Sequence, residues 1–311
     1  MIAYLCAKAT CEFGSKCLQR IYGPQTPSDC GIQSIANHRR VYSLRRILVT
    51  NDDGVSSLGL WALNDSLQAI GETVVIAPDS PRSATGMSLT FHKPLRLKQV
   101  HNRKRHAYAV SGNTADCVFL GIIEIFKHEV PSLVASGINL GDNLTSQLVF
   151  ASSTVAGAIQ GAVMGAPAIA FSLSLPEDRD VTKDELTSKL SIAASHVRRT
   201  AKWVLDNKLP RGIDCLNINF PFSITERTRA KVTTLGLRKY NDQVVKRNDP
   251  GGHPYFWQWG TIKDDREFLE GTDIHAVYVE HMVSITPFKL DASTPSPREL
   301  AQLLNSLNGG V

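Results

Sequence analysis

Hydrophobic and polar positions show no sustained period until about Tyr42; from there the chain alternates short apolar runs with stretches of helical spacing. The first run, Ile47-Leu48-Val49, is continuous, as expected of a parallel strand covered by helices on both faces. Leu60, Leu63, Leu67 and Ile70 then recur at intervals of three and four, which predicts one face of a helix. A second strand is expected over 73–77, a hairpin over 95–100 and 106–110, and a helix from Thr114 to about Phe126 with Asn113 or Thr114 as its cap. A third parallel strand reads over 133–139. It is followed by a helix rich in Ala and Gly over about 154–165, in which Gly157, Gly161 and Gly165 read as packing devices. The alternation continues with a strand at 168–174, a helix over about 185–205, and strands at 215–220 and 231–237. Such a succession predicts an α/β fold with a doubly wound, mostly parallel, Rossmann-like sheet.

Beyond Tyr240 the character changes. A turn cluster at 248–254 leads into Tyr255-Phe256-Trp257-Gln258-Trp259, the most aromatic run of the chain. A strand is expected at 277–287 and a terminal helix at 297–307. The region of about 240–290 reads as an extended arm or hairpin that reaches another subunit, or as a hairpin packed on its own domain. These patterns divide the chain into an extension over 1–42, expected to be disordered, and one domain over 43–311.

Composition narrows the class without naming it. Of 311 residues, 42% are hydrophobic and 20% charged, the balance of an ordinary globular protein able to bury a large core. The net charge of +5 is mild and no long basic run occurs, so no stable nucleic-acid complex is expected. No apolar stretch is long enough to cross a bilayer. Cys117 and Cys215 lie in apolar contexts and read as buried thiols of a reducing compartment, which predicts a cytoplasmic protein. Cys6, Cys11, Cys17 and Cys30 contain no C-x-x-C pair and signal a zinc site only weakly.

Candidate chemistry lies where apolar runs stop. The first strand ends in Asn51-Asp52-Asp53-Gly54, and carboxylates cannot continue a buried run unpaired. They therefore sit at the carboxyl end of the strand, where open α/β sheets hold ligands. Two hard oxygen donors side by side suit Mg²⁺, Mn²⁺ or Ca²⁺ better than a soft metal, although the same residues also make an ordinary turn and helix cap. The second strand ends in a loop carrying Arg82 and Ser83, the third in Asn139 and the loop Gly141-Asp142-Asn143. In a doubly wound sheet these strand ends fall along one edge and can converge.

The same residues carry a family resemblance. Thr50-Asn51-Asp52-Asp53-Gly54, Ala77-Pro78-Asp79 with Arg82-Ser83, and Ser136-Gly137-Ile138-Asn139 with Gly141 and Asn143 resemble the SurE family of nucleotidases in order and interval. The resemblance continues through Gly112, Thr114, Asp116 and Cys117, Ser152 with Thr154-Val155, Asp249-Pro250, Gly271-Thr272-Asp273 and Val283–Pro287, and covers roughly residues 46–291. It implies a metal-dependent phosphomonoesterase acting on nucleoside 5′- and 3′-monophosphates, assembled as a homodimer or homotetramer. The implied ligands of one divalent metal ion (Mg or Mn) per subunit are Asp52, Asp53, Ser83 and Asn139. Asp52 and Asp53 are expected to carry catalysis through that ion. Asn51, Arg82, Ser83, Gly141, Asn143, Ser152 and Thr154 are the expected substrate contacts.

Two departures stand out. The family commonly has Ser-Gly-Thr-Val where this chain has Ser152-Ser153-Thr154-Val155. If that Gly served an unusual backbone angle or a close phosphate approach, Ser153 alters substrate handling. The extension before Arg46 has no counterpart either. His92, His253, His275 and His281 do not single out a leaving-group acid. The different-class alternative is a non-catalytic nucleotide- or metal-binding module on the same fold. A dinucleotide-binding dehydrogenase is disfavoured, because no G-x-G-x-x-G follows the first strand.

Overall fold

The structure, a computed structural model, describes residues 45–102, 105–291, 293 and 307. The expectations for residues before about 42, for the tip residues Arg103 and Lys104, and for the terminal helix apart from Leu307 lie outside these residues. In chain order the elements are β1 (Arg46–Thr50), α1 (Leu58–Leu67), β2 (Glu72–Pro78), β3 (Leu97–Asn102), β4 (Arg105–Val110), α2 (Thr114–Leu120), β5 (Leu133–Leu140), α3 (Thr145–Val149), α4 (Ser153–Val163), β6 (Ala168–Leu173), α5 (Lys183–Asn207), β7 (Cys215–Phe220), β8 (Ala230–Val232), β9 (Tyr240–Asn248), β10 (Pro254–Ile262), α6 (Asp273–Tyr278) and β11 (Val283–Phe288).

Nine strands form one sheet in the order β3-β4-β2-β1-β5-β6-β7-β11-β8. From β4 through β7 the neighbours are parallel, while β3 and β11 join antiparallel. Helices cover both faces, as the continuous apolar runs require. Leu60, Leu63 and Leu67 of α1 and Leu190, Val197 and Val204 of α5 pack on one face. Cys117 and Val118 of α2 and Val155 and Ala158 of α4 pack on the other. Cys117 and Cys215 are buried free thiols. Gly157 and Gly161 lie where α4 crosses β5, and a Cβ there would come within 2.7 Å of the Ser136 or Val134 side chain, so both serve close packing as expected. Among the described residues no helix is long and apolar enough to cross a membrane.

Several boundaries differ from the sequence reading. The second helix stops at Leu120 and continues as one π-helical turn, Gly121–Ile125. The expected strand at 231–237 shrinks to β8. The segment 277–287 divides: Thr272 caps α6 by accepting from the His275 N–H, and His281, at φ 52°, breaks the chain before β11. The aromatic run is β10, paired along its whole length with β9 and, among the described residues, with no other strand.

The topology sets the site. After β1 the chain fills the β2–β4 side of the sheet, then crosses back to place β5 on the other side of β1. The carboxyl ends of β1 and β5 therefore flank the crevice where the winding reverses, the usual ligand position in such sheets.

Candidate metal centre

The buried run of β1 reaches Thr50, and Asn51 and Asp52 follow while still buried, at 0% and 5% exposure. Gly54, at φ +91°, then turns the chain towards α1 beside the Pro78 carbonyl, 3.3 Å from where a Cβ would stand. Three other segments fasten this corner. The Thr114 hydroxyl at the start of α2 donates to the Asn51 carbonyl at 3.2 Å. The Arg82 N–H donates to the Asp52 carbonyl at 2.8 Å, which docks the loop after β2. The Thr154 hydroxyl, in the first turn of α4, donates to the Asp52 carboxylate. On the other side of the crevice, β5 shifts register against β6 between Ser136 and Asn139, an irregularity that re-aims the end of the strand.

Burial pushes the Asp52 carboxyl up to about 6; the Thr154 hydrogen bond opposes this, and the neighbouring Asp53 charge adds to it. Burial also raises Asp53; the nearby Leu140 N–H and Ser57 hydroxyl oppose this rise without closing a hydrogen bond to its Oδ2. Two adjacent carboxyls held up in this way favour a proton or a cation between them. Both amide atoms of Asn51, Oδ2 of Asp53 and Oγ of Ser57 are buried without a close hydrogen-bond partner. Buried polar atoms are nearly always paired, so the three unpaired oxygens, Asn51 Oδ1, Asp53 Oδ2 and Ser57 Oγ, fit a bound hard cation or its water, while the Asn51 Nδ2 donor fits a water or an anion. Among the described residues no group of three or more His, Cys, Asp or Glu gathers to hold a metal. A cation here would rest on two carboxylates completed by neutral oxygens.

The remaining predicted residues divide into those facing the crevice loops and those committed to the scaffold. Asn139 is half-buried and donates through Nδ2 to the Gly141 carbonyl at 2.8 Å, which leaves its Oδ1 as an available acceptor. Ser83 is exposed in the loop after β2. Arg82 pairs with Asp79 at 3.2 Å, while its Nε is buried without a partner. Gly141 donates its N–H to the Leu173 carbonyl. Asn143 is turned inward: its Nδ2 donates to Ser172 Oγ and its N–H to Asn219 Oδ1, each at 2.8 Å, and its carbonyl accepts from Asn217 and Asn219. Ser152 caps α4 by accepting from the Val155 N–H. The Asn143 amide and the Ser152 hydroxyl thus build the loop and the helix start. Thr154 alone of the later candidates bonds directly to a carboxylate of the pair.

Other residues were not singled out from sequence. Asn217 and Asn219 alternate with apolar residues in the fully buried strand β7, a polar stripe on one face that was itself a signal. Asp142, next to Gly141, pairs with Lys239 at 2.8 Å, both 3% exposed, and accepts from the Tyr278 hydroxyl. Burial by itself would lower the Lys239 ammonium, but the Asp142 carboxylate outweighs it and holds the group raised. A single Lys ahead of the hairpin carries no sequence signal for this contact. His92 is exposed and His253 stands out from the β9–β10 turn, while His275 and His281 lie at either end of the α6 corner. No histidine hydrogen-bonds to Asp52 or Asp53 among the described residues.

Comparison with known proteins bears on the family and the fold. Residues 47–242 match the family model described as Survival protein SurE. The chain is 41% identical over 247 residues to a 5′-nucleotidase SurE of Methanocella arvoryzae, covering 79% of this chain and 92% of that protein. It is 43% identical over 248 residues to a 5′-nucleotidase SurE of Archaeoglobus fulgidus, with the same coverage. The crystal structure of the SurE protein from Aquifex aeolicus superposes with a TM-score of 0.70 at 34% identity, covering 85% of this chain and 99% of that one.

Proposed function

The chain belongs to the SurE family, and on that premise we propose that it is a divalent-metal-dependent phosphomonoesterase that hydrolyses nucleoside 5′-monophosphates, and 3′-monophosphates as well, to nucleoside and phosphate. The observation that carries the reading is the adjacent pair Asp52 and Asp53 at the winding-reversal crevice, surrounded by buried oxygens without partners. Asp52, Asp53, Ser83 and Asn139 would hold one Mg²⁺ or Mn²⁺. When bound, such an ion supplies positive charge that polarises the phosphoryl group and makes water a stronger acid.

The protein's own groups do the rest. Asp52 and Asp53 are held as a poised pair, Asp52 oriented by Thr154 and Asp53 facing the Leu140 N–H. Thr85 and Gly86 donate their backbone N–H groups to Ser153 and Ala151, which leaves those of Ser83 and Ala84 to meet phosphate oxygens. Arg82 brings a guanidinium to the same loop, and its unpaired Nε is the donor for an incoming anion.

Assembly belongs to the same proposal. Among the described residues the β9–β10 hairpin pairs with no other strand, and it exposes Val244, Phe256, Trp257 and Trp259 at 61–67%. An isolated hairpin is marginal in water, and an exposed apolar patch of this kind marks an interaction site. The occupant is a second copy of the chain, giving a homodimer or homotetramer. The functional reading is tested by phosphate release from a panel of nucleoside mono- and polyphosphates, before chelation, after it, and after Mg²⁺ or Mn²⁺ is restored. Release that survives complete chelation overturns the metal-dependent reading, and no release from any nucleotide overturns the hydrolase.

A further inference from the structure

Ser153 opens α4 with a side chain that is fully buried, and its hydroxyl points away from its own helix into the loop after β2. Ser153 Oγ donates to the Arg82 carbonyl at 2.7 Å. It accepts the Thr85 N–H at 3.0 Å and lies 2.9 Å from the Thr85 hydroxyl. A serine hydroxyl has one proton to donate and two lone pairs to accept with, so these contacts use its whole capacity. Both ends of a four-residue loop, Arg82-Ser83-Ala84-Thr85, therefore meet on one buried oxygen.

The loop is held in a conformation it would not take alone. Ala84 has φ 55°, the left-handed region that costs an alanine and that persists only where the surroundings impose it. The Arg82 N–H is tied to the Asp52 carbonyl at 2.8 Å, and the Gly86 N–H to the Ala151 carbonyl at 2.9 Å. Ser153 closes the interval between those two anchors from α4, and the Thr85 hydroxyl, 3.3 Å from the Arg82 carbonyl, bridges the same ends from within the loop. Its neighbour Thr154 holds the Asp52 carboxylate. Adjacent residues of one helical turn thus grip the carboxylate and the loop bearing Ser83.

We propose that Ser153 is a positioning residue: by fastening Arg82 and Thr85 to the start of α4, it holds Ser83 in register with Asp52 and so completes the oxygen set for the cation. The inference rests on the metal-dependent reading above. The backbone of Ser153 is that of an ordinary helix start, so its contribution is the hydroxyl.

The test compares the full-length protein with Ser153→Ala, Ser153→Thr, Thr85→Val and the Ser153→Ala/Thr85→Val double variant. Mn²⁺ alone is titrated calorimetrically into each chelated protein, and hydrogen exchange over 82–86 is followed without metal. Ser153→Ala is expected to weaken Mn²⁺ about 10–100-fold, the usual effect of losing a group that orients a ligand. It should also speed exchange at Thr85, and lower kcat more than it raises KM for the nucleotide. Ser153→Thr retains the hydroxyl and is expected to restore most of the affinity. Thr85→Val removes the hydroxyl that meets Ser153 and the Arg82 carbonyl but keeps the Thr85 N–H on Ser153, so it gives a smaller loss in the same direction even if Ser153→Ala does not fold. Its effect should be non-additive with Ser153→Ala. Mn²⁺ affinity within twofold of wild type in Thr85→Val and in folded Ser153→Ala overturns the inference while leaving the functional proposal intact. Absence of Mn²⁺ binding by the wild type overturns the metal reading and this inference with it.

Discussion

Replacing Asp52 with asparagine tests the buried carboxylate twice, through turnover with metal bound and through stability without it. The carboxyl is raised by burial from 3.8 to about 6. At about 1.36 kcal/mol per pH unit, its ionised form costs the metal-free fold about 3 kcal/mol. The folded value lies above the unfolded one, so this group's stabilising contribution is complete below about pH 4 and lost as pH rises through about 6. The asparagine side chain has no such charge and keeps an acceptor for the Thr154 hydroxyl, forfeiting about 1 kcal/mol of charge-assisted hydrogen bonding. The chelated variant is therefore expected to be about 2 kcal/mol more stable than wild type at pH 7.5, a rise in Tm of a few degrees, with a flatter stability profile between about pH 4 and 7. Saturating Mn²⁺ should reverse the order. At 100 times its Kd a ligand adds about 2.7 kcal/mol to the wild type, but almost nothing to a variant whose affinity has collapsed. Phosphate release should fall by about 10²–10⁴-fold, since the ion's charge supplies several kcal/mol to the transition state. The assays are urea unfolding across pH, with and without Mn²⁺, and phosphate release after chelation and metal re-addition. Near wild-type turnover in Asp52→Asn would refute the metal-centre assignment. A chelated variant less stable than wild type at pH 7.5 would refute the electrostatic argument.

Three further outcomes follow from the contacts described. Lys239→Met leaves Asp142 buried without its cation and should cost about 3–5 kcal/mol in urea unfolding; a loss under about 1 kcal/mol would show that the pair is not buried in solution. Gly157→Ala puts a Cβ 2.7 Å from Ser136 Oγ and should destabilise by about 1–3 kcal/mol through overpacking of α4 on β5; an unchanged Tm would contradict that close approach. Phe256→Glu with Trp257→Glu places charge on the exposed hairpin and should shift the species seen by light scattering towards the monomer, whereas a wild type already monomeric at micromolar concentration would remove the proposed arm contact.

Much of this protein was legible before its structure. Continuous apolar runs ending abruptly in Asn51-Asp52-Asp53, in the Arg82–Ser83 loop and at Asn139 marked buried parallel strands and their carboxyl ends, because burial forbids unpaired polar groups within a run. The doubly wound α/β class followed from strands alternating with helices of three-four spacing, and so did the convergence of the strand ends on one edge. Short elements were not legible. Helix α3 has five residues and starts at Thr145 with φ 63°, too short to show a period and entered through an atypical backbone. The helix α6, six residues long, showed no period, and its last two residues, Val277 and Tyr278, were read into the strand expected at 277–287. What only the tertiary structure decided was the fate of side chains whose partners lie far along the chain. Asn143 turned out to face Ser172, Asn217 and Asn219 rather than the crevice, Lys239 found Asp142 across 97 positions, and Ser153 reached back to Arg82 and Thr85. Local pattern records where a side chain is buried, because burial repeats with the period of the element. Which polar partner satisfies it depends on how loops from separate strands meet above the sheet, and that has no period to read.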